Sequence, residues 1–301
     1  MTEEHMNIAD YGLMIINQID HKYDLNDPLS NIKALIYAGM IKYYGQEKEN
    51  KIYIDFLKTS FVAIDKPIVE FLMDKYNLER ESAHKIASHE PGTLLDAVIY
   101  KEDNITRIER TIYFERNLLD NPTTLIESLT HQMNHIINST SNSITEAKKT
   151  RDKLSRMGIS YDSYERGRKI KSLPLEEAIN KLQTKEIIHE IKKINIENIK
   201  TESIKELLND LINLPVKENK KTTTEQLAEE IYKIPELKKT LNKGRLSGHF
   251  KDFYEEINSR TKYIKYPIIL SSFDNLESND EEQASVCKEN IKTLIKTYEE
   301  K

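Results

Sequence analysis

Residues 120–138 read DNPTTLIESLTHQMNHIIN. Asp120-Asn121-Pro122 supplies a side-chain cap followed by proline at the first helical position, where the missing N–H costs nothing. The pattern predicts a helix from Pro122 to Asn138. On it Leu125, Ile126, Leu129, Met133, Ile136 and Ile137 form one apolar stripe, while His131 and His135 point to nearly the opposite side. Two imidazoles four residues apart lie one helical turn apart and can reach a single ion from the same face. Ordinary surface histidines, or histidines bonding at a helix end, would produce the same spacing, so the surroundings have to decide.

Upstream, Thr93 to Tyr100 is rich in Leu, Val and Ile, Lys101 to Asn104 is a polar turn, and Arg110 to Glu115 alternates again, which predicts a β-hairpin. Downstream, Ser139 to Ser143 is a polar stop. The segment through Met157-Gly158-Ile159 reads as a helix end followed by a strand or an irregular crossing. Pro174 then opens a second, short helix through Ala178, Ile179, Leu182, Ile187 and Ile188, which carries the acidic pair Glu176 and Glu177.

The outer parts are expected to be helical. Asp27-Pro28 opens a run through Ile32, Leu35, Ile36, Met40 and Ile41, and Pro67 opens another through Val69, Phe71, Leu72 and Tyr76. Beyond residue 190 the chain is helical and charged. Thr222 with Glu225, and Ser278 with Glu281, have capping-box spacing, Pro215 and Pro235 punctuate the runs, and Lys217 to Lys221 reads as an exposed linker.

With 301 residues, 38% hydrophobic and 32% charged, the chain can bury an ordinary core without metal or disulfide support. A net charge of −5 and a pI near 6.0 argue against a nucleic-acid partner, which calls for a clustered basic face. The single cysteine, Cys287, has the neighbours Val286, Ile291 and Leu294 of a packed helix and suits a reducing compartment. The apolar run Leu13 to Ile16 is too short for a signal core or membrane span, so a cytoplasmic location and no membrane partner are expected.

A strand-rich hairpin followed by a helix bearing His-x-x-x-His resembles the zincin metallopeptidases, whose motif is HExxH. Here it stands as His131-Gln132-Met133-Asn134-His135, with both histidines but not the glutamate. In the gluzincin branch the third ligand is a glutamate on a later helix, often followed by Gly or Ala, and Leu175-Glu176-Glu177-Ala178-Ile179 is similar to that pattern. The resemblance implies Zn²⁺ held by His131, His135 and Glu177, a fourth position open to water, and peptide or protein as substrate. Against this, acidic residues are favoured in the first turn of any helix starting at Pro174.

The resemblance implies an α+β protein dominated by helices. Its divisions would be an N-terminal helical region (1–90), a zincin-like core with a small sheet (91–190) and a C-terminal helical region (191–301). Gln132 stands where the general base belongs and cannot accept a proton, which implies a metallopeptidase scaffold with turnover lost. Gln132 reads either as the natural residue of a pseudoenzyme or as an isosteric replacement, and the otherwise intact motif favours the replacement. Arg156, Tyr161 and Tyr164 are candidates for an oxyanion donor, with His189 and His249 behind them. Asn138 and Glu127 lie near the histidine face and read as solvated. The rival expectation is a non-catalytic helical binding or regulatory protein in which the histidine pair is incidental.

Overall fold

The computed structural model describes residues 6–21, 27–87, 92–102, 105–140, 156–157, 159, 161–163, 169–214 and 220–300, with the backbone alone at 97–102, 105–109, 140, 156–157, 161–163 and 169–171. In chain order the elements are α1 (Ile8–Asp20), α2 (Pro28–Tyr44), α3 (Glu49–Leu57), β1 (Thr59–Ile64), α4 (Ile68–Tyr76) and α5 (Arg80–Ala87). The hairpin β2 (Thr93–Glu102) and β3 (Ile105–Glu115) leads into α6 (Pro122–Ile137), followed by the short strands β4 (Ser139–Thr140), β5 (Arg156–Met157), β6 (Tyr161–Ser163) and β7 (Lys169–Lys171). Among the described residues, α7 (Leu173–Lys192), α8 (Glu202–Asn213), α9 (Thr223–Lys233), α10 (Pro235–Ser247), α11 (Lys251–Arg260), α12 (Tyr266–Asn275) and α13 (Glu281–Glu299) follow. The protein is predominantly helical with a small mixed sheet.

Two compact units are formed, one by 1–134 with 184–216 and the other by 135–183 with 217–301, the division falling inside α6 and inside α7. In the first, the predicted hairpin pairs antiparallel from Thr93 opposite Phe114 to Glu102 opposite Ile105. Central β3 also pairs in parallel with β1, from Thr59 opposite Arg110 to Ile64 opposite Glu115. Strand β1 is a correction to the wholly helical reading of the N-terminal region. Its sequence, TSFVAI, is only six residues long, and its partner lies about fifty residues away, so no local turn announces the pairing. Ile112 and Phe114 on β3 are fully buried.

Asp27 caps α2 as predicted, its Oδ1 accepting from the Leu29 N–H, and Pro28 sits in the first turn. Every residue of α2 from Ser30 to Ile41 is buried. Close approach makes this possible: a Cβ on Gly12 of α1 would stand 2.6 Å from the Ala34 carbonyl oxygen, and one on Gly39 would stand 2.3 Å from Ile191 Cγ1.

The second unit builds its core from Leu175, Ala178 and Ile179 of α7 with Leu227, Leu237, Leu241, Phe253, Phe273 and Ile291 of the C-terminal helices, and Cys287 is buried among them. The Thr222–Glu225 capping box is present. The Ser278–Glu281 box is not: Asp280 caps α13 by accepting from the Glu282 and Gln283 N–H groups at 3.1 Å, and Ser278 Oγ accepts from the Asp280 N–H. Helix α7 has twenty residues and is not the short helix expected, because the apolar spacing continues through Ile187, Ile188 and Ile191, all buried. Among the described residues no helix is long and apolar enough to cross a membrane.

Candidate metal centre

Helix α6 starts where its sequence says it must. Asn121 Oδ1 accepts from the Thr124 N–H at 3.4 Å and from the Thr123 hydroxyl at 3.0 Å, with Pro122 next to it in the first turn. The predicted apolar stripe is buried, and so is the opposite side: every residue from Ser128 to Asn138 is buried, His131 and His135 at 3% exposure each. Neither histidine is therefore a surface residue. Asn138, expected to be solvated, is buried as well, whereas Glu127 is exposed. A helix enclosed on all sides needs partners for its polar groups. Asn134 Oδ1 accepts from the Tyr44 hydroxyl, and Gln132 Nε2 donates to Thr93 Oγ1 at 3.3 Å.

Helix α7 brings the acidic pair to His135. Its start is fixed by Ser172, which adopts the left-handed conformation (φ 59°), donates its N–H to Asp274 Oδ1 at 2.8 Å and accepts the Glu176 N–H at 3.0 Å. Glu177 Oε2 then lies 3.3 Å from His135 Nε2, and Glu176 Oε1 lies 3.6 Å from His135 Nδ1 on the other side of the ring. His131, His135 and Glu177 each offer one donor atom, and the three atoms lie within 4.8 Å of one another. Two donors bound at about 2.1 Å to a tetrahedral ion stand about 3.4 Å apart, so the His135–Glu177 distance fits a shared ion. Two imidazole nitrogens and one carboxylate are a donor set suited to a divalent ion such as zinc.

Glu176 is not a fourth ligand, because it is enclosed elsewhere. Its carboxylate is paired with Arg245 of α10, both side chains wholly buried, with Arg245 Nε on Oε2 at 3.1 Å and Nη2 on Oε1. The Ile159 N–H adds a bond to Oε2 at 2.9 Å. The rest of the guanidinium fork is taken by Asn180 Oδ1 at 3.0 Å and by Gln183 Oε1, and Gln183 Nε2 in turn donates to Asn242 at 2.8 Å. A buried ion pair tolerates low dielectric only when its remaining donors and acceptors are satisfied in this way.

The electrostatics follow from the packing. Burial by itself would lower the proton affinity of His135, but the Glu177 charge, with Glu176 behind it, outweighs that and raises the pKa to about 9 in the metal-free protein. Burial likewise works to raise the Glu176 carboxyl, and the Arg245 guanidinium overrides it, holding the group below the usual carboxylate range.

Of the residues predicted for this site, His131, His135 and Glu177 converge, with Gln132 on the same buried turn. The backbone of Arg156 lies in β5 and that of Tyr161 in β6, while their side chains and all of Tyr164 fall outside the described residues. His189 and His249 are exposed. Sequence reasoning missed Arg245, Asn180, Gln183 and Thr93. Glu176, Asn180 and Gln183 do repeat at helical spacing, but a polar row on a charged helix ordinarily faces water, and its partner Arg245 is 69 residues from Glu176. Comparison with known protein families, with curated proteins and with solved structures returns no match.

Proposed function

We propose that the chain carries the zinc centre of a zincin-type metallopeptidase, with His131, His135 and Glu177 as ligands, a peptide or protein as substrate, and Gln132 at the position of the general base. The observation that carries the reading is the convergence of three donors within 4.8 Å, two from the helix that follows a β-hairpin in the chain and one from a later helix. A zinc ion held there would polarise a peptide carbonyl and acidify a bound water. The protein must supply a group that takes the water's proton, and a glutamine amide cannot. As it stands the chain binds metal and peptide and does not turn over.

Thr93 bears on what Gln132 replaces. A threonine hydroxyl accepts from an amide, as here at 3.3 Å, and donates equally well to a carboxylate, so the pocket around residue 132 suits glutamate without rearrangement. The test is zinc content and cleavage of a mixed peptide library by this protein and by Gln132→Glu. Zinc in both with cleavage only by the variant establishes a disabled peptidase. Zinc without cleavage in either gives a metal-binding pseudoenzyme, the second reading, which the glutamine itself favours. No zinc in either sinks the reading.

A further inference from the structure

Resting on the reading that His131, His135 and Glu177 hold an ion, we propose that Arg245 is a positioning residue for the metal centre. It fixes the Glu176 carboxylate against Nδ1 of His135, so that the ring carries its proton on Nδ1 and turns the Nε2 lone pair toward Glu177 and the ion.

Arg245 and Glu176 are both wholly buried, and the hydrogen bonds around them leave the carboxylate one orientation: Arg245 Nε and the Ile159 N–H hold Oε2, while Oε1, bonded by Arg245 Nη2, is the oxygen that faces His135 Nδ1 at 3.6 Å. Asn180 and Gln183 hold the other edge of the guanidinium, so its plane is fixed too. An imidazole has two nitrogens and, when neutral, one proton, and whichever nitrogen donates to a carboxylate leaves the other as the metal donor. Glu176 and Glu177 sit on opposite sides of the ring, and Glu176 is pinned by Arg245 and the Ile159 N–H. An ion pair of apolar surroundings contributes little net stability compared with apolar residues of the same volume, so fold stability is a weak reason for its presence. Arginine is suited to this task because its planar fork binds both carboxylate oxygens at once, where a lysine would leave the carboxylate free to rotate.

The experiment compares the full-length parent, Arg245→Met, and the double variant Glu176→Met/Arg245→Met. Zinc affinity is measured by competition with a chromogenic chelator, unfolding of the metal-free proteins by urea, and the His135 tautomer of the zinc-loaded proteins by ¹⁵N chemical shifts. Removing both charges keeps the metal-free fold even if Arg245→Met alone does not fold. The double variant is expected to bind zinc about 10–100-fold more weakly than the parent and to lose the single Nδ1–H tautomer. A folded double variant with zinc affinity within about threefold of the parent, and an unchanged tautomer, overturns the proposal while leaving the metal centre standing. A parent that binds no zinc overturns both.

Discussion

The two sides of the His135 ring differ more than their neighbouring sequence numbers suggest. On the Nε2 side stands Glu177, its side chain 22% exposed; on the Nδ1 side stands Glu176, wholly enclosed with an arginine. Consecutive residues on a helix point about 100° apart, so an acidic pair at the start of α7 delivers one carboxylate to the open side and one to the sealed side. The open carboxylate can take a share of an ion's charge; the sealed one already has its counter-charge. Chemical identity is the same on both sides, and enclosure separates ligand from support.

The contrast breaks most readily at the ligands. His131→Ala is expected to lose stoichiometric zinc, as measured by elemental analysis after gel filtration. Glu176→Ala should lower stability by about 3–5 kcal/mol, because it strands the Arg245 charge in the core, whereas Glu177→Ala should lower metal-free stability by less and yet remove the ion. Equal destabilisation by the two alanines would erase the distinction drawn here.

Titration sharpens it further. In chelator, the raised pKa of His135, about 9 against about 6.5 for an unfolded histidine, means that the folded state binds the proton more tightly. That stability is fully present below about pH 6.5 and is lost as pH rises through about 9, at about 1.4 kcal/mol for each tenfold change in proton affinity. Urea midpoints of the metal-free protein should therefore fall across this window, less so in Glu177→Ala, whose carboxylate is the larger source of the raised affinity. Zinc competes with the proton for His135, so its stabilising effect should grow across the same window. The smallest effect is expected from Thr93→Val, which removes the Gln132 partner at a cost of about 1 kcal/mol and leaves zinc affinity unchanged.

Local signals in the sequence carried the parts of the fold that are built locally. The caps at Asp27 and Asn121, the hairpin from Thr93 to Glu115 and the Thr222–Glu225 box depend on residues within a few positions of each other, and all are present. Strand β1 depends on a partner reached only after two helices and a strand, and it escaped. The site divides the same way. His131 and His135 share one helix and could be read by spacing, and Glu177 by the similarity of Leu175-Glu176-Glu177-Ala178-Ile179 to the gluzincin pattern. The Glu176–Arg245 pair could not, since no local pattern relates α7 to α10, and charged residues on amphipathic helices are expected in water. The expectation that the histidines lie opposite the core also missed what surrounds α6, because a helical wheel distinguishes an apolar side from a polar one without revealing that both are covered.

That enclosure bears on which substitutions the helix can accept. Eleven consecutive residues, Ser128 to Asn138, have no open side, so each is constrained by shape or by hydrogen bonding and none is free to drift. A signature drawn from the two histidines alone uses two of those constraints and discards nine. Thr130 and Asn134, at 0% exposure, are held as tightly as His131 and His135 beside them.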